Sequence, residues 1–421
     1  MRPRRWLGLI LLALGSCGAS ESRFRPDVPP LDGVEPAVAT RVLEVADAFQ
    51  SADDLKSHAL WARVLDANGF GDEAVRAYDA LAARDEAPHR FEARYLAACR
   101  LESKDPGLAL DRLDEAIALR PDYRPARLRR ADLAWRLGRL DAAAGDYEWL
   151  LQGASDLPAM LGMARIQIDR DQWSLARVSL EAARSIDPGD PRVCALLSRV
   201  LAREGEGERA RQLAALARAA DEPRTFHDPI QVAMLAEGRS SSSCRRFAAV
   251  CLRAGRWDEA IEWSNRALRA QPEDLEARLV RGMTRARRGQ GAAAIEDLAQ
   301  VVQARPTDLR ALEELASAHA LIGERAQAIE VLDRALDLNP DRLHARYLRA
   351  VLWRDARPER AEPDLRRVLA AAPDHFDALL SLAQLLVSAR RLDEARSVLQ
   401  RLHRLAPDDA RVGEIERRLN P

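Results

Sequence analysis

The side chains of this chain that could do chemistry are few, and their spacing suits none. Five cysteines occur in 421 residues, at positions 17, 99, 194, 244 and 251. Cys244 and Cys251 are seven residues apart on one predicted helix, ~10 Å in rise, too far for a disulfide. Cys99, Cys194, Cys244 and Cys251 fall at or beside expected packing positions, so they read as small core residues rather than metal ligands. The motifs C-x-x-C-H, H-E-x-x-H, G-x-S-x-G and the Walker loop are all missing, and the seven histidines are scattered. His227-Asp228 invites a catalytic reading. Asp228 directly before Pro229 serves better as a helix cap, its carboxylate on free amides and proline at the first helical position. Ser240–Ser243 precede a helix and read as caps as well. No enzyme, cofactor or metal site is expected.

Charge narrows the partner. Lysine and arginine total 65 against 66 acidic residues, which argues against bulk nucleic-acid binding. Only Lys56 and Lys104 are lysines. An arginine- and alanine-rich chain of this kind reads as codon usage, not as a phosphate-binding device.

The elements that would position any site come from a repeat. GRWDEAIEWSNRALRAQPED (Gly255–Asp274) returns as GERAQAIEVLDRALDLNPDR (Gly323–Arg342). Pro272, Pro306, Pro340, Pro373 and Pro407 are separated by 34, 34, 33 and 34 residues. Twelve residues before each stands Ala260, Ala294, Ala328, Ala361 or Ala395. Small residues recur one helix earlier, at Ala248, Gly282, Ala316, Ala350 and Ala383. Two antiparallel helices approach closely only where small residues face each other, and proline ends the second helix. The unit is a helix-turn-helix.

This pattern resembles the tetratricopeptide repeat, whose period is 34 residues. Gly255, Gly289 and Gly323 at the turn, and Trp257 with the D-E-A after it, carry the resemblance. The first half is fainter: Ala74, Ala109, Ala143, Ala176 and Ala210 hold the key position, with Ala97, Ala131 and Ala164 in first helices and Trp173 matching Trp257. The expected fold is an all-α superhelical solenoid of about ten repeats, Leu55–Pro407, in two arrays of five, with leading (Val38–Phe49) and closing (Asp409–Leu419) helices. The arrays span 37–223 and 241–421. Between them, 224–240 holds an inserted helix near Pro229–Glu237, read as a tolerated insertion, with a hinge or a lid over the groove as the alternative. Pro363 should kink or delay the second helix of the ninth repeat.

The N-terminus reads as an address. Arg2, Arg4 and Arg5 precede the apolar run Leu7–Leu14, which is too short to span a bilayer. LGSC at Leu14–Cys17 resembles the lipobox of bacterial lipoproteins, which implies a signal peptide over 1–17 and lipidation of Cys17. Gly18 after it implies the outer membrane, facing the periplasm. Residues 18–36, rich in Pro, Ser and Gly, read as a flexible tether.

In this family the first helices line the concave face and contact partner segments. Mapped residue by residue, that face offers Arg63, Asp132, Arg165 and Arg199 beside Trp135 in the first array. In the second it offers Met283 and Val351, in an apolar setting. The first surface suits carboxylates and the second a helix face. The lysine/asparagine clamp of the chaperone-binding members is missing. The function expected is a non-catalytic scaffold, lipid-anchored in the envelope, that binds envelope proteins or peptide segments of a pilus, secretion, wall or export machinery. The alternative is a component that binds or exports polysaccharide through an arginine-lined groove.

Overall fold

The computed structural model describes residues 28–52, 54–84, 89–153, 155–219, 228–406 and 409–419. The signal segment with Cys17, His227 and the prolines at 88, 223 and 407 lie outside the described residues. Within them the chain is helix and turn.

A leading helix α1 (Pro36–Ala52) is followed by five antiparallel pairs: α2 (Leu55–Ala67) with α3 (Gly71–Ala82), α4 (His89–Leu101) with α5 (Pro106–Leu119), α6 (Arg124–Arg136) with α7 (Leu140–Leu151), α8 (Leu157–Asp169) with α9 (Trp173–Ile186), and α10 (Pro191–Arg203) with α11 (Gly207–Ala219). A short α12 (Pro229–Leu235) stands alone. Five more pairs follow: α13 (Ser241–Arg253) with α14 (Trp257–Ala270), α15 (Leu275–Arg287) with α16 (Gly291–Ala304), α17 (Leu309–Leu321) with α18 (Arg325–Leu338), α19 (Leu343–Trp353) with α20 (Pro358–Ala371), and α21 (Phe376–Ser388) with α22 (Leu392–Leu405). Helix α23 (Ala410–Leu419) closes the array.

The small residues do what their spacing implies. Ala74, Ala109, Ala143, Ala176 and the five key alanines from Ala260 to Ala395 are fully covered, and Ala210 nearly so. Opposite them, a Cβ added at Gly282 would lie 2.7 Å from Leu298 Cγ, so the helices meet at backbone distance there. Proline acts one residue earlier than its missing donor alone would require. Gln271, Arg305, Asn339 and Ala372, each just before a proline, have left the helical region with ψ of 93°, 77°, 94° and 80°. Proline's ring clashes with an α-conformed predecessor, which is why these helices stop two residues ahead of it. An aspartate two residues after proline then starts the next helix: Asp274 accepts from Ala277 N, and Asp308 from Ala311 N, each at 3.0 Å. The expected effect of Pro363 differs. Helix α20 begins at Pro358 and runs through Pro363 without delay.

Arginine also has a structural use that composition hid. Asp146, Asp297 and Asp364, three residues past their key alanines, are buried at 3%, 1% and 5% exposure. Each accepts from two arginines of its own pair: Arg127 and Arg130 at 3.1 and 2.6 Å, Arg281 and Arg285 at 2.6 and 2.8 Å, Arg346 and Arg349 at 3.0 and 2.8 Å. Whatever sets their number, these six arginines are used by the fold. Several are the partners that let a carboxylate sit inside a helix pair.

First helices of successive pairs touch one another, as α13 does α15 and α15 does α17, whereas second helices are not in comparable contact. The arrays therefore curve with first helices inside. Helix α12, placed close to the expected Pro229–Glu237, packs on α2, α4 and α13. It lies in the hollow of the first array, against first helices. Residues 29–35, expected to be tether, also lie on the array: Pro29 is buried, Leu31 and Val34 pack on the core, and Glu35 accepts from Ser241 N at 3.1 Å. The two arrays meet again where α11 contacts α20, around a gap of about 320 Å³ lined by Arg211, Ala215, Leu343, Arg346 and Arg367.

Candidate functional site

The inner face of the first array is built from α2, α4, α6, α8 and α10. Helix α6 starts after the turn at Tyr123 with Pro125 in its first turn, and α8 starts at the Asp156 cap, whose carboxylate accepts from Ala159 N at 3.1 Å. These starts aim Asp132, Trp135 and Arg165 into one open cleft of about 250 Å³, which Glu102, Arg129 and Arg136 complete.

Inside it, the Arg165 guanidinium lies 5.2 Å from the Trp135 ring centroid, a cation–π distance. Trp135 Nε1 donates to Asp169 Oδ2 at 2.7 Å, which fixes the indole edge. Asp132 accepts from the Tyr147 hydroxyl at 2.6 Å, so it is committed to the fold more than to a ligand. Arg129 and Arg136 share Glu102, at 2.8 and 3.3 Å. Arg165 therefore stacks on an aromatic face and, among the described residues, makes no ion pair, which leaves its guanidinium donors open to a ligand. Burial, with Asp132 adding to it, pushes the Tyr147 hydroxyl well above its usual range, so it keeps its proton and donates.

The remaining expected residues are not gathered there. Arg63 on α2 is paired with Glu92 at 2.9 Å. Arg199 on α10 is exposed and does not line the cleft. In the second array Met283 is 7% exposed, inside a core cluster with Leu279 and Leu312. It offers little surface to a partner, because its helix turns it into the seam between α15 and α17. Val351 is half-buried on α19.

A second constellation lies beside the cleft. The Asp228 carboxylate, 7% exposed, accepts from the hydroxyl of Tyr95 on α4, from Tyr123 at 3.0 Å and from Gln231 N at 3.2 Å. Arg129 also donates to the Tyr95 oxygen at 2.9 Å, linking the two constellations. Burial, with Asp228 adding to it, drives both tyrosine hydroxyls up, which keeps them donors. The neighbouring Cys99 thiol is pushed by burial up to about 12 and stays uncharged, so it is no nucleophile. Sequence reading found Asp228 as a cap but missed Tyr95, Tyr123, Glu102, Arg129 and Arg136. The available signal was that four of the five tyrosines, Tyr78, Tyr95, Tyr123 and Tyr147, fall in the first half of the chain.

Among the described residues no group of three or more His, Cys, Asp or Glu could hold a metal ion, and no helix is long and apolar enough to cross a membrane. With ten pairs of this geometry in place, the sequence comparisons decide the family of the units. Residues 286–352 and 352–419 match one tetratricopeptide repeat family model, and 100–158 match another. These segments are tetratricopeptide repeats. Such repeats are typically non-catalytic scaffolds for protein–protein interaction. No curated protein matches the chain. Among solved structures, a thermophilic tetratricopeptide protein of Thermus thermophilus is 25% identical over 43% of this chain and 100% of its own, with a TM-score of 0.37. Yeast Tom70 is 14% identical over 91% of this chain and 95% of its own, at 0.38. PilF of Pseudomonas aeruginosa is 18% identical over 62% and 96%, at 0.34. Superpositions this loose bear on neither partner nor function.

Proposed function

We propose that this chain is a non-catalytic tetratricopeptide scaffold, lipid-anchored through Cys17 in the bacterial cell envelope and facing the periplasm, which holds an acidic segment of an envelope protein. The observation that supports the binding mode is the open cleft of Trp135 and Arg165 on the inner helices, where a guanidinium has an aromatic face but, among the described residues, no ion pair. A carboxylate entering there would complete a charge-assisted hydrogen bond without displacing an existing pair. The anchor rests on the LGSC sequence at Cys17. The apolar second surface is reduced to the region of Val351, since Met283 is internal.

The test is cross-linking and capture from native membranes, with wild type beside Cys17→Ser and Arg165→Glu. Capture of one or two envelope proteins by wild type, lost with Arg165→Glu and weakened with Cys17→Ser, is the expected result. Charge reversal should weaken an acidic partner by about tenfold or more. If Arg165→Glu reduces acidic and apolar partners equally, the cleft is not the reading surface. Capture of anionic polysaccharide in place of protein would transfer the cleft to the alternative function.

A further inference from the structure

Segment 228–240 is held by the first array the way a ligand is held. At one end the Asp228 carboxylate takes the hydroxyls of Tyr95 and Tyr123, with Arg129 Nη2 at 3.8 Å. In the middle, Met234 and Leu235 are buried. At the other end Asn68 reads backbone: its Oδ1 accepts from Arg239 N at 2.7 Å and Ser240 N at 3.3 Å, and its Nδ2 donates to Glu237 O at 3.3 Å. Arg41 adds an ion pair to Glu237 at 2.9 Å. The groove therefore reads a carboxylate ahead of a helix, two apolar side chains, and the chain leaving the helix.

The same segment has a small stake in the core. Helix α12 spans seven residues and buries Met234 and Leu235, with Ile230, Val232 and Ala236 only partly covered against the core, whereas α13 next to it buries Ser241, Ser243, Cys244, Phe247, Ala248 and Cys251. A helix of two turns does not hold its shape alone in water. The pairs α2–α3, α4–α5 and α6–α7 pack on one another without it. Tyr95, Tyr123, Asn68 and Arg129 are polar groups that water can satisfy when the segment leaves.

We propose that the hollow of the first three repeats is a binding site for a short, carboxylate-capped amphipathic helix, that α12 is its occupant in cis, and that a partner segment of the same chemistry exchanges with it. This rests on the scaffold reading for its biological sense. The test below uses the chain's own sequence as probe, so it stands whether or not the cleft at Arg165 captures a partner.

The probe is a labelled peptide of residues 228–240, followed by fluorescence anisotropy on full-length chains whose fold is checked by circular dichroism. Asp228→Asn should weaken the cis segment and let the peptide bind about tenfold more tightly than it binds wild type, as expected for losing a hydrogen bond to a charged group. Adding Tyr95→Phe and Tyr123→Phe to that chain should abolish the gain. Equal binding by wild type and Asp228→Asn, or binding that ignores the two tyrosines, overturns the proposal. Hydrogen exchange of the wild-type protein checks it without any variant: amides of 232–237 should exchange at least about tenfold faster than those of α2 and α4. Protection equal to those helices would make α12 a permanent strut and also overturn the proposal.

Discussion

Gly162 on α8 faces the Tyr147 ring so closely that an added Cβ would lie 2.1 Å from Tyr147 Cζ. Alanine there must move a ring whose hydroxyl is tied to Asp132, so Gly162→Ala should destabilise the protein by about 1–3 kcal/mol, measured by urea denaturation. A larger loss follows from the buried carboxylates. Asp297 at 1% exposure is the counter-charge of both Arg281 and Arg285, which are themselves only 18% and 20% exposed. Asp297→Ala leaves two half-buried guanidiniums without a carboxylate and should cost about 3 kcal/mol. Asp393→Ala removes a bridge of 2.9 Å to Arg396 from the surface and should cost under about 0.5 kcal/mol. If the two variants melt alike, burial is not what gives Asp297 its weight. Both residues belong to a sequence rich in acidic and basic groups, and nothing local distinguishes them. The distinction lies in position relative to the key alanine: Asp297 is three residues after Ala294 and sixteen after Arg281, a spacing repeated at Asp146 and, within a residue, at Asp364.

Helix starts carry the next set of consequences. Among the described residues seven helices take an aspartate cap, but α21 takes His375, whose Nδ1 accepts from Ala378 N at 3.2 Å. An accepting ring nitrogen must be unprotonated. Burial, partly offset by Asp377, lowers the His375 pKa below its ordinary 6.5. The folded state thus binds the proton less readily than the unfolded chain. Its contribution is present above pH 6.5 and is lost as pH falls through the folded value, with protonation also removing the cap. Melting temperature should therefore drop as pH is lowered from about 7 to about 5, and His375→Asp should flatten that part of the profile. A variant that follows the wild-type curve would show that other groups set the acid loss. At this scale most of the sequence was readable: the 34-residue spacing located the helix pairs, the prolines located their ends, and Asp228-Pro229 located α12. His375 as a cap was not, because its role depends on the ring being buried.

The whole molecule is a stack whose stability is a sum over pairs and the seams between them, so its ends matter more than their length suggests. Helix α23 covers the last pair with Val412, Ile415 and Leu419, all nearly buried, against α21 and α22. Ending the chain at residue 408 should expose that seam, destabilise the last repeat by about 3 kcal/mol or more, and give concentration-dependent association by light scattering. A truncated chain that stays monomeric and melts like the full one would remove the capping role. The sequence by itself determined the units: period, helix boundaries and the facing small residues are local, because a 3.6-residue helix and a proline impose them without reference to distant chain. It also determined where the series is interrupted. Only the tertiary structure decided what fills the hollow. The pairing of Asp228 with Tyr95 and Tyr123, 133 and 105 residues away, and of Asn68 with the backbone at 239 and 240, depends on the curvature summed over the first array. The burial of Met283 and the lack, among the described residues, of an ion pair for Arg165 have the same origin: small rotations between successive pairs accumulate, and no single repeat encodes their sum.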